Sequence, residues 1–220
     1  MLFRSSLDFG SDQSFQLSNY YDPRPNYGPS DFDIRNSLVV NYVWDIPYGS
    51  NFGNPLARWT LGNWQLSGTT QAQSGEPLTV STNDDFAGVG AGAGPQRWDI
   101  TSKPTTPHSF GGNGASGFWF EPTPFVQPAA GTLAGHGTRN VIYNPGFQSW
   151  NIALQKNFHV IPSHDNHVLT FRGEAFNFTN HPNWDNSDSN PTSGTFGQVT
   201  TKGGTYASER QMQFSLRYAF

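Results

Sequence analysis

The chain has no cysteine among its 220 residues, so it can form no disulfide framework and no thiolate metal site. Charge is also scarce. Asp, Glu, Lys and Arg together make up 13% of the sequence, well below the share in an ordinary soluble domain. The formal net charge is −4 and the pI is near 5.8, so no basic stripe is available and nucleic acid is not expected as a partner. No long apolar run occurs, and no membrane-spanning helix is expected. The opening Met1-Leu2-Phe3-Arg4-Ser5-Ser6 gives way to Asp8 and Gly10 without building the apolar segment of a signal peptide. If the protein is exported, the chain is therefore expected to be the C-terminal piece of a longer one.

What is present points to strands. The 24 Gly and 16 Pro punctuate the chain too often for long helices, while 18 Phe, 8 Tyr and 7 Trp favour strands and boundaries between wet and apolar surroundings. Mean hydropathy is −0.57, so with so little charge the polarity comes from Asn, Gln, Ser, Thr and Gly. Uncharged polar residues alternating with aromatics suit a barrel with a wet lumen. They also suit a secreted, aromatic-rich β-sandwich that binds carbohydrate, which is the alternative reading.

The clearest alternation closes the chain. From Glu209 to Phe220, Met212, Phe214, Leu216, Tyr218 and Phe220 share one face, and Gln211, Gln213, Ser215, Arg217 and Ala219 the other. Its length suits a tilted strand crossing a bilayer. Ile34 to Ile46 sets Leu38, Val40, Tyr42 and Trp44 against Arg35, Ser37, Asn41 and Asp45. Leu61 to Gln73 sets Trp64, Leu66, Gly68, Thr70 and Ala72 against Gln65, Ser67, Thr69, Gln71 and Gln73. In Phe147 to Val160, Trp150, Ile152, Leu154 and Phe158 oppose Ser149, Asn151, Gln155 and Asn157, with Lys156 a mismatch on the apolar side, close enough to the strand's end to snorkel. Val168 to Ala175 places Leu169 and Phe171 opposite Thr170, Arg172 and Glu174, and the phase predicts a bulge at Phe176. Weaker strands are expected at Ser14–Tyr21, carrying Phe15 and Leu17, at Leu78–Val80 and at Phe196–Thr200.

The predicted fold is all-β: an antiparallel transmembrane β-barrel segment of six to eight strands, a curved sheet not closed by its own strands. Lipid would face Leu38, Val40, Tyr42, Trp44, Trp64, Leu66, Trp150, Ile152, Leu154, Leu169 and Phe171. A water-filled lumen would face Gln65, Ser67, Gln71, Asn151, Gln155, Arg172, Glu174 and Arg217. With Phe220 at the periplasmic side, antiparallel alternation puts the connections at 47–59 and 161–166 inside, and those at 22–33, 82–145 and 177–208 outside. Both inner ones are much shorter than the outer ones at 82–145 and 177–208, as in bacterial barrels, and the outer ones are expected to be long polar loops.

The terminal strand resembles the assembly signal of outer-membrane barrels in Gram-negative bacteria, carried here by Gln213, Leu216, Tyr218 and Phe220, with Ser215 where that signal often has Gly. A wider set of motifs adds to this. Gly62-Asn63-Trp64-Gln65-Leu66-Ser67-Gly68 and Gln73-Ser74-Gly75-Glu76-Pro77-Leu78-Thr79-Val80 come first. Gly137-Thr138-Arg139-Asn140, Pro145-Gly146-Phe147, the run from Phe171 to Trp184 and Gly194-Thr195-Phe196-Gly197 follow. In order and spacing this set resembles the C-terminal barrel of TonB-dependent receptors, specifically the Oar-like group that carries a carboxypeptidase-regulatory-like domain. The resemblance implies that residues 1–220 are part of an outer-membrane receptor for uptake of a bulky nutrient. Its implied partners are outer-membrane lipid, the barrel-assembly machinery, an unknown transported ligand and, through an N-terminal part, the TonB complex. The plug and the N-terminal regulatory domain of that family have no counterpart in these residues.

No enzymatic chemistry is expected, and no catalytic, cofactor or metal site. His159, His164, Asp165 and His167 cluster in sequence, but their spacing matches no fixed ligand pattern and they read as exposed turn residues. Gly88-Val89-Gly90-Ala91-Gly92-Ala93-Gly94 lacks the Lys-Ser/Thr and the helix of a phosphate loop, and reads as flexible loop. Arg172 and Glu174, two apart on one face, read as a lumenal charge pair.

Overall fold

The computed structural model describes residues 22, 24–49, 51–90, 95–106, 117–133, 135, 138–161, 167–202 and 209–220. The expected strand at Ser14–Tyr21 lies outside them, as does most of the 161–166 connection. In chain order the main elements are β1 (Ser37–Ile46), α1 (Pro55–Leu61), β2 (Trp64–Gln73), β3 (Pro77–Leu78), β4 (Ser81–Thr82), β5 (Gln96–Arg97), β6 (Asp99–Ile100), β7 (Phe125–Val126), β8 (Ile142–Tyr143), β9 (Phe147–His159), β10 (Val168–Phe176) and β11 (Gln211–Ala219). They divide into two units. One holds the described parts of residues 1–35, 74–146 and 184–202; the other holds those of 36–73, 147–183 and 203–220.

The second unit is a single five-stranded antiparallel sheet in the order β1-β2-β9-β10-β11. Its register keeps one phase throughout. Trp44 lies opposite Leu66, Leu66 opposite Leu154, Leu154 opposite Gly173, and Gly173 opposite Phe214. Directly opposed residues share a face, so the alternation read strand by strand becomes one apolar face and one polar face. Five long strands are seen among the described residues, fewer than the six to eight expected. No bulge occurs at Phe176, which continues the regular register opposite Gln211. The break in its pattern is chemical, an apolar side chain on the polar face. The turn comes one residue later, at Asn177 with φ 47°.

Two glycines in this sheet make room for rings. A Cβ on Gly68 would lie 2.6 Å from the Tyr42 hydroxyl, and one on Gly173 would lie 3.2 Å from the Phe214 ring. Each aromatic is the glycine's direct cross-strand partner, so the ring covers backbone that would otherwise stand bare.

The connection between β1 and β2 contains α1. Asn54 caps it by accepting from the Leu56 and Ala57 amides, Pro55 occupies the first turn, and Gly62 ends it. This is the ordinary start-and-stop chemistry of a short helix.

The first unit corrects the expectation of long polar loops. Val80, Trp119, Phe120, Phe125, Ile142 and Val199 form a buried cluster, and the rings of Phe120, Phe125 and Phe196 meet edge to face at centroid distances of 5.4–5.8 Å. Around it run three two-residue pairings, β3 with β8, β4 with β5 and β6 with β7. Such short ladders hold little by themselves, so side chains satisfy the remaining backbone. The Trp119 indole donates to the Tyr143 carbonyl at 2.7 Å, and the Asn144 side-chain oxygen accepts from both the amide and the hydroxyl of Ser187. At Gly75 any Cβ would collide with the Asn144 backbone. The expected strand at Phe196–Thr200 is a turn followed by one bridge, Gln198 to Phe118.

Phe120 is fully buried. Phe120→Ala should destabilise the first unit by about 3–5 kcal/mol, and limited proteolysis should then cut within residues 74–146 while wild type resists. Equal protease resistance would show that the aromatic cluster does not hold this unit together.

Candidate membrane-facing surface

On the sheet's apolar face the register gathers Leu38, Val40, Tyr42 and Trp44 of β1, Trp64 and Leu66 of β2, Trp150, Ile152 and Leu154 of β9, Leu169 and Phe171 of β10, and Met212, Phe214, Leu216 and Tyr218 of β11. Much of this face is bare. Trp44 is 51% exposed, Phe214 68% and Leu216 66%. A sandwich would cover these side chains with a second sheet, and among the described residues none does. An apolar surface of this extent is unstable in water and calls for a partner of the same kind.

Rings concentrate at one end of the sheet, where β1 ends and β2 begins. Trp59 of α1 packs on Phe158 at 4.9 Å, Trp64 meets Phe171 edge-on at 6.1 Å, and Phe171 stacks on Phe214 at 6.3 Å. Tyr218 and Phe220, at the C-terminal end of β11, lie 6.0 Å apart, and the Tyr218 hydroxyl is 2.7 Å from His167 Nδ1. Leu56, Trp59 and Leu61 of α1 are also exposed. Amphipathic rings are most stable where dry meets wet.

Lys156 lies on this apolar face and resolves its own mismatch differently from the snorkelling expected. In the register it sits between Trp64 and Phe171, whose rings touch each other. It is 3% exposed. Its ammonium lies 5.0 Å from the Phe158 ring centroid and 5.6 Å from that of Trp64, and it donates to the Gly62 carbonyl at the end of α1. The stem is sheltered by rings and the charge is delivered to backbone.

The opposite face is a hydrogen-bonded lattice. Gln65 donates to Asp45 at 2.8 Å, Thr69 to Asn41 at 2.7 Å and Thr170 to Asn157 at 2.8 Å. Arg172 bonds Glu174 and Gln155, and Gln213 donates to Glu174. Ser67, Gln71, Asn151 and Arg217 lie on the same face. A concavity of about 450 Å³ opens there, lined by Asn41, Ser67, Thr69, Arg172 and Glu174 among others. Val39 and Val43, 56% and 70% exposed, set two apolar side chains among Ser37, Asn41 and Asp45 on the polar face of β1. In the sequence, the run Leu38-Val39-Val40 was the available signal for this.

His159 is exposed, His164 and Asp165 lie outside the described residues, and no group of three potential metal ligands occurs among those described. In the glycine-rich stretch, the Asp85 carboxylate accepts from the Val89 and Gly90 amides and from Gln96. The bonds from Gly90, Gln96 and Val89 hold it below the usual carboxylate range. The amides a phosphate would need are thus already occupied, and the described part of the stretch is a tied turn rather than a free loop.

A family model described as outer membrane beta barrel domain matches residues 3–213. The chain belongs to that family. This places the barrel domain in the bacterial outer membrane. No described helix is long and apolar enough to cross a membrane. Members of the family are typically non-enzymatic. No curated protein and no solved structure matches the chain.

Lys156→Met keeps the barrel domain's buried stem and removes the bond to Gly62, which should cost about 1.5–3 kcal/mol, the usual worth of a charged donor. Urea titration of the folded form in lipid vesicles should show a lower midpoint. An unchanged or higher midpoint would mean that the bond contributes nothing net.

Proposed function

We propose that the chain is the C-terminal part of the barrel of an Oar-like TonB-dependent receptor, and that it serves uptake of a bulky nutrient rather than catalysis. In this reading the apolar face is the lipid-facing surface. The Arg172–Glu174 lattice, with Gln65, Ser67, Gln71, Asn151, Gln155 and Arg217, faces the lumen. The observation that carries the reading is the ordered motif set, in which the run from Gly62 to Gly68 takes in the start of β2 and the run from Phe171 to Trp184 takes in most of β10 and the turn after it. Connectivity supports it as well. Every segment of the first unit leaves or enters the sheet at the start of β1, β9 or β11 or at the end of β2 or β10. In an antiparallel sheet those are all the same end, the one assigned here to the outer loops.

The partners follow from this reading: outer-membrane lipid, the assembly machinery acting on β11, a transported ligand, and the TonB complex reached through an N-terminal part. The test uses the full-length receptor, captured on the immobilised periplasmic domain of TonB. Retention that depends on the region preceding this chain is expected. A receptor that is never retained would exclude TonB dependence and leave an outer-membrane barrel of another kind.

The terminal strand gives a separate prediction. Replacing both Tyr218 and Phe220 with Ser should reduce the heat-modifiable barrel in isolated outer membranes far more than it reduces total protein on a blot, since assembly must engage an exposed edge while the terminal rings anchor at the membrane boundary. Gln211→Ser should leave the yield nearly unchanged. Equal barrel yields for the double variant and wild type would remove β11 as an assembly signal.

A further inference from the structure

The first unit contains a cleft of about 590 Å³, within the range of small-ligand sites, that the packing described so far does not account for. Three stretches distant in sequence build it: Tyr27–Pro29, Ile100–Pro104 and Arg139–Tyr143, with Arg35 beside them. Ile100 and Val141, packed against the aromatic cluster, supply apolar wall. Gly28 lets the walls approach, since a Cβ there would lie 2.9 Å from the Arg139 carbonyl oxygen. The cleft is therefore formed by the fold rather than by one loosely placed loop.

Its charge is lopsided. Arg35, Lys103 and Arg139 all line it. Arg139 is buried and paired with Asp31 at 3.1 Å, and it also donates to the Asn26 carbonyl. The other nearby carboxylate, Asp33, accepts from the Tyr143 hydroxyl at 2.6 Å. Burial, then the bond to Asp33, pushes that phenol up, so it stays a neutral donor at neutral pH. Arg35 lies 4.0 Å from the Tyr143 ring centroid. Arg35 and Lys103 are both exposed, and among the described residues neither forms an ion pair. Two cations thus face the cleft with the local carboxylates already engaged. Beside them Tyr27 presents a ring that is 58% exposed, and Ser102 an exposed hydroxyl.

We propose that this cleft binds an anionic saccharide, its acidic group against Arg35 and Lys103 and one sugar face on the Tyr27 ring. Cations select the acid, the flat ring suits the C–H face of a sugar, and exposed hydroxyls exchange hydrogen bonds with those of the ligand. The proposal deepens the uptake reading, on which it rests only for calling this ligand the cargo.

The test is calorimetric titration of the full-length receptor in detergent micelles with trigalacturonic acid and with its trimethyl ester, which keeps the rings and loses the charge. The acid should bind at least tenfold more tightly than the ester, and added salt should weaken only the acid. The double variant Arg35→Gln/Lys103→Gln should lose at least tenfold for the acid, and Tyr27→Ala should weaken both probes, with heat-modifiable mobility unchanged in each variant. No binding of the acid, equal binding of acid and ester, or wild-type affinity in the double variant would overturn the proposal. The uptake reading fails separately: binding as expected in a receptor never retained by TonB would keep the cleft and sink the transport.

Discussion

The pairing of β2 with β9 is the constraint on which the rest of the sheet depends. These strands are adjacent in space, with Gln73 opposite Phe147, although all of residues 74–146 lie between them in sequence. A side-chain period of two makes that register unforgiving. A slip of one residue would send Trp150, Ile152 and Leu154 to the polar face and Asn151 and Gln155 to the apolar one. Closing so long an insertion adds only logarithmically to the entropy cost of a short one, and ten cross-strand pairs stand against it. Within the insertion, Pro77 opposite Tyr143 keeps the same residue offset as Gln73 opposite Phe147. The short pairing and the long one therefore agree on where the insertion begins and ends.

The long strands were legible because their signal is geometric. Alternation needs only the pleat, and all five strands that read clearly are present with boundaries within three residues. The apolar and polar sets were legible for the same reason, residue by residue. What was not legible depended on tertiary context. Nothing local announces that Trp119, Phe120, Phe125 and Val199, scattered through Gly- and Pro-rich sequence, meet in one core; aromatic clusters of low contact order leave a period, and this one does not. The helix α1 is a different kind of miss. Asn54, Pro55 and Gly62 carry adequate start and stop signals for a short helix, so this element is local in origin. Phe176 was misread because an apolar side chain on the polar face was taken for a change of phase.

The two faces of the sheet solve opposite problems with different materials. On the polar face, the Asp45 and Glu174 carboxylates, the Arg172 guanidinium and the Gln65 and Gln213 amides find cross-strand or near-neighbour partners, which lowers the cost of holding polar groups in a confined space. On the apolar face the difficulty is Lys156, and aromatic rings together with one backbone carbonyl resolve it. That arrangement also ties α1 to the strands, because the carbonyl concerned belongs to Gly62, which ends the helix. Trp64 adds a second tie through its indole, which donates to the Thr60 carbonyl at 3.1 Å. A residue that looks like an error in the alternation is thus the point where the connection between β1 and β2 is held to the sheet.

Strand direction sets a further condition on how such a sheet can close. In the order β1-β2-β9-β10-β11 every neighbour is antiparallel, so β1 and β11, the first and the fifth, run in the same direction. Joining those two edges directly would create one parallel pair, and joining two copies around an axis along the strands would create two. An all-antiparallel barrel with an even number of strands, the bacterial pattern, is reached only by placing an odd number of further strands between β11 and β1. With eight strands as the smallest such barrel, that number is at least three. β1, exposed along nearly its whole length with its backbone edge unpaired among the described residues, is poorly suited to remain an edge in water or in lipid. In such a barrel the strand next to it must run opposite to it, which β11 does not.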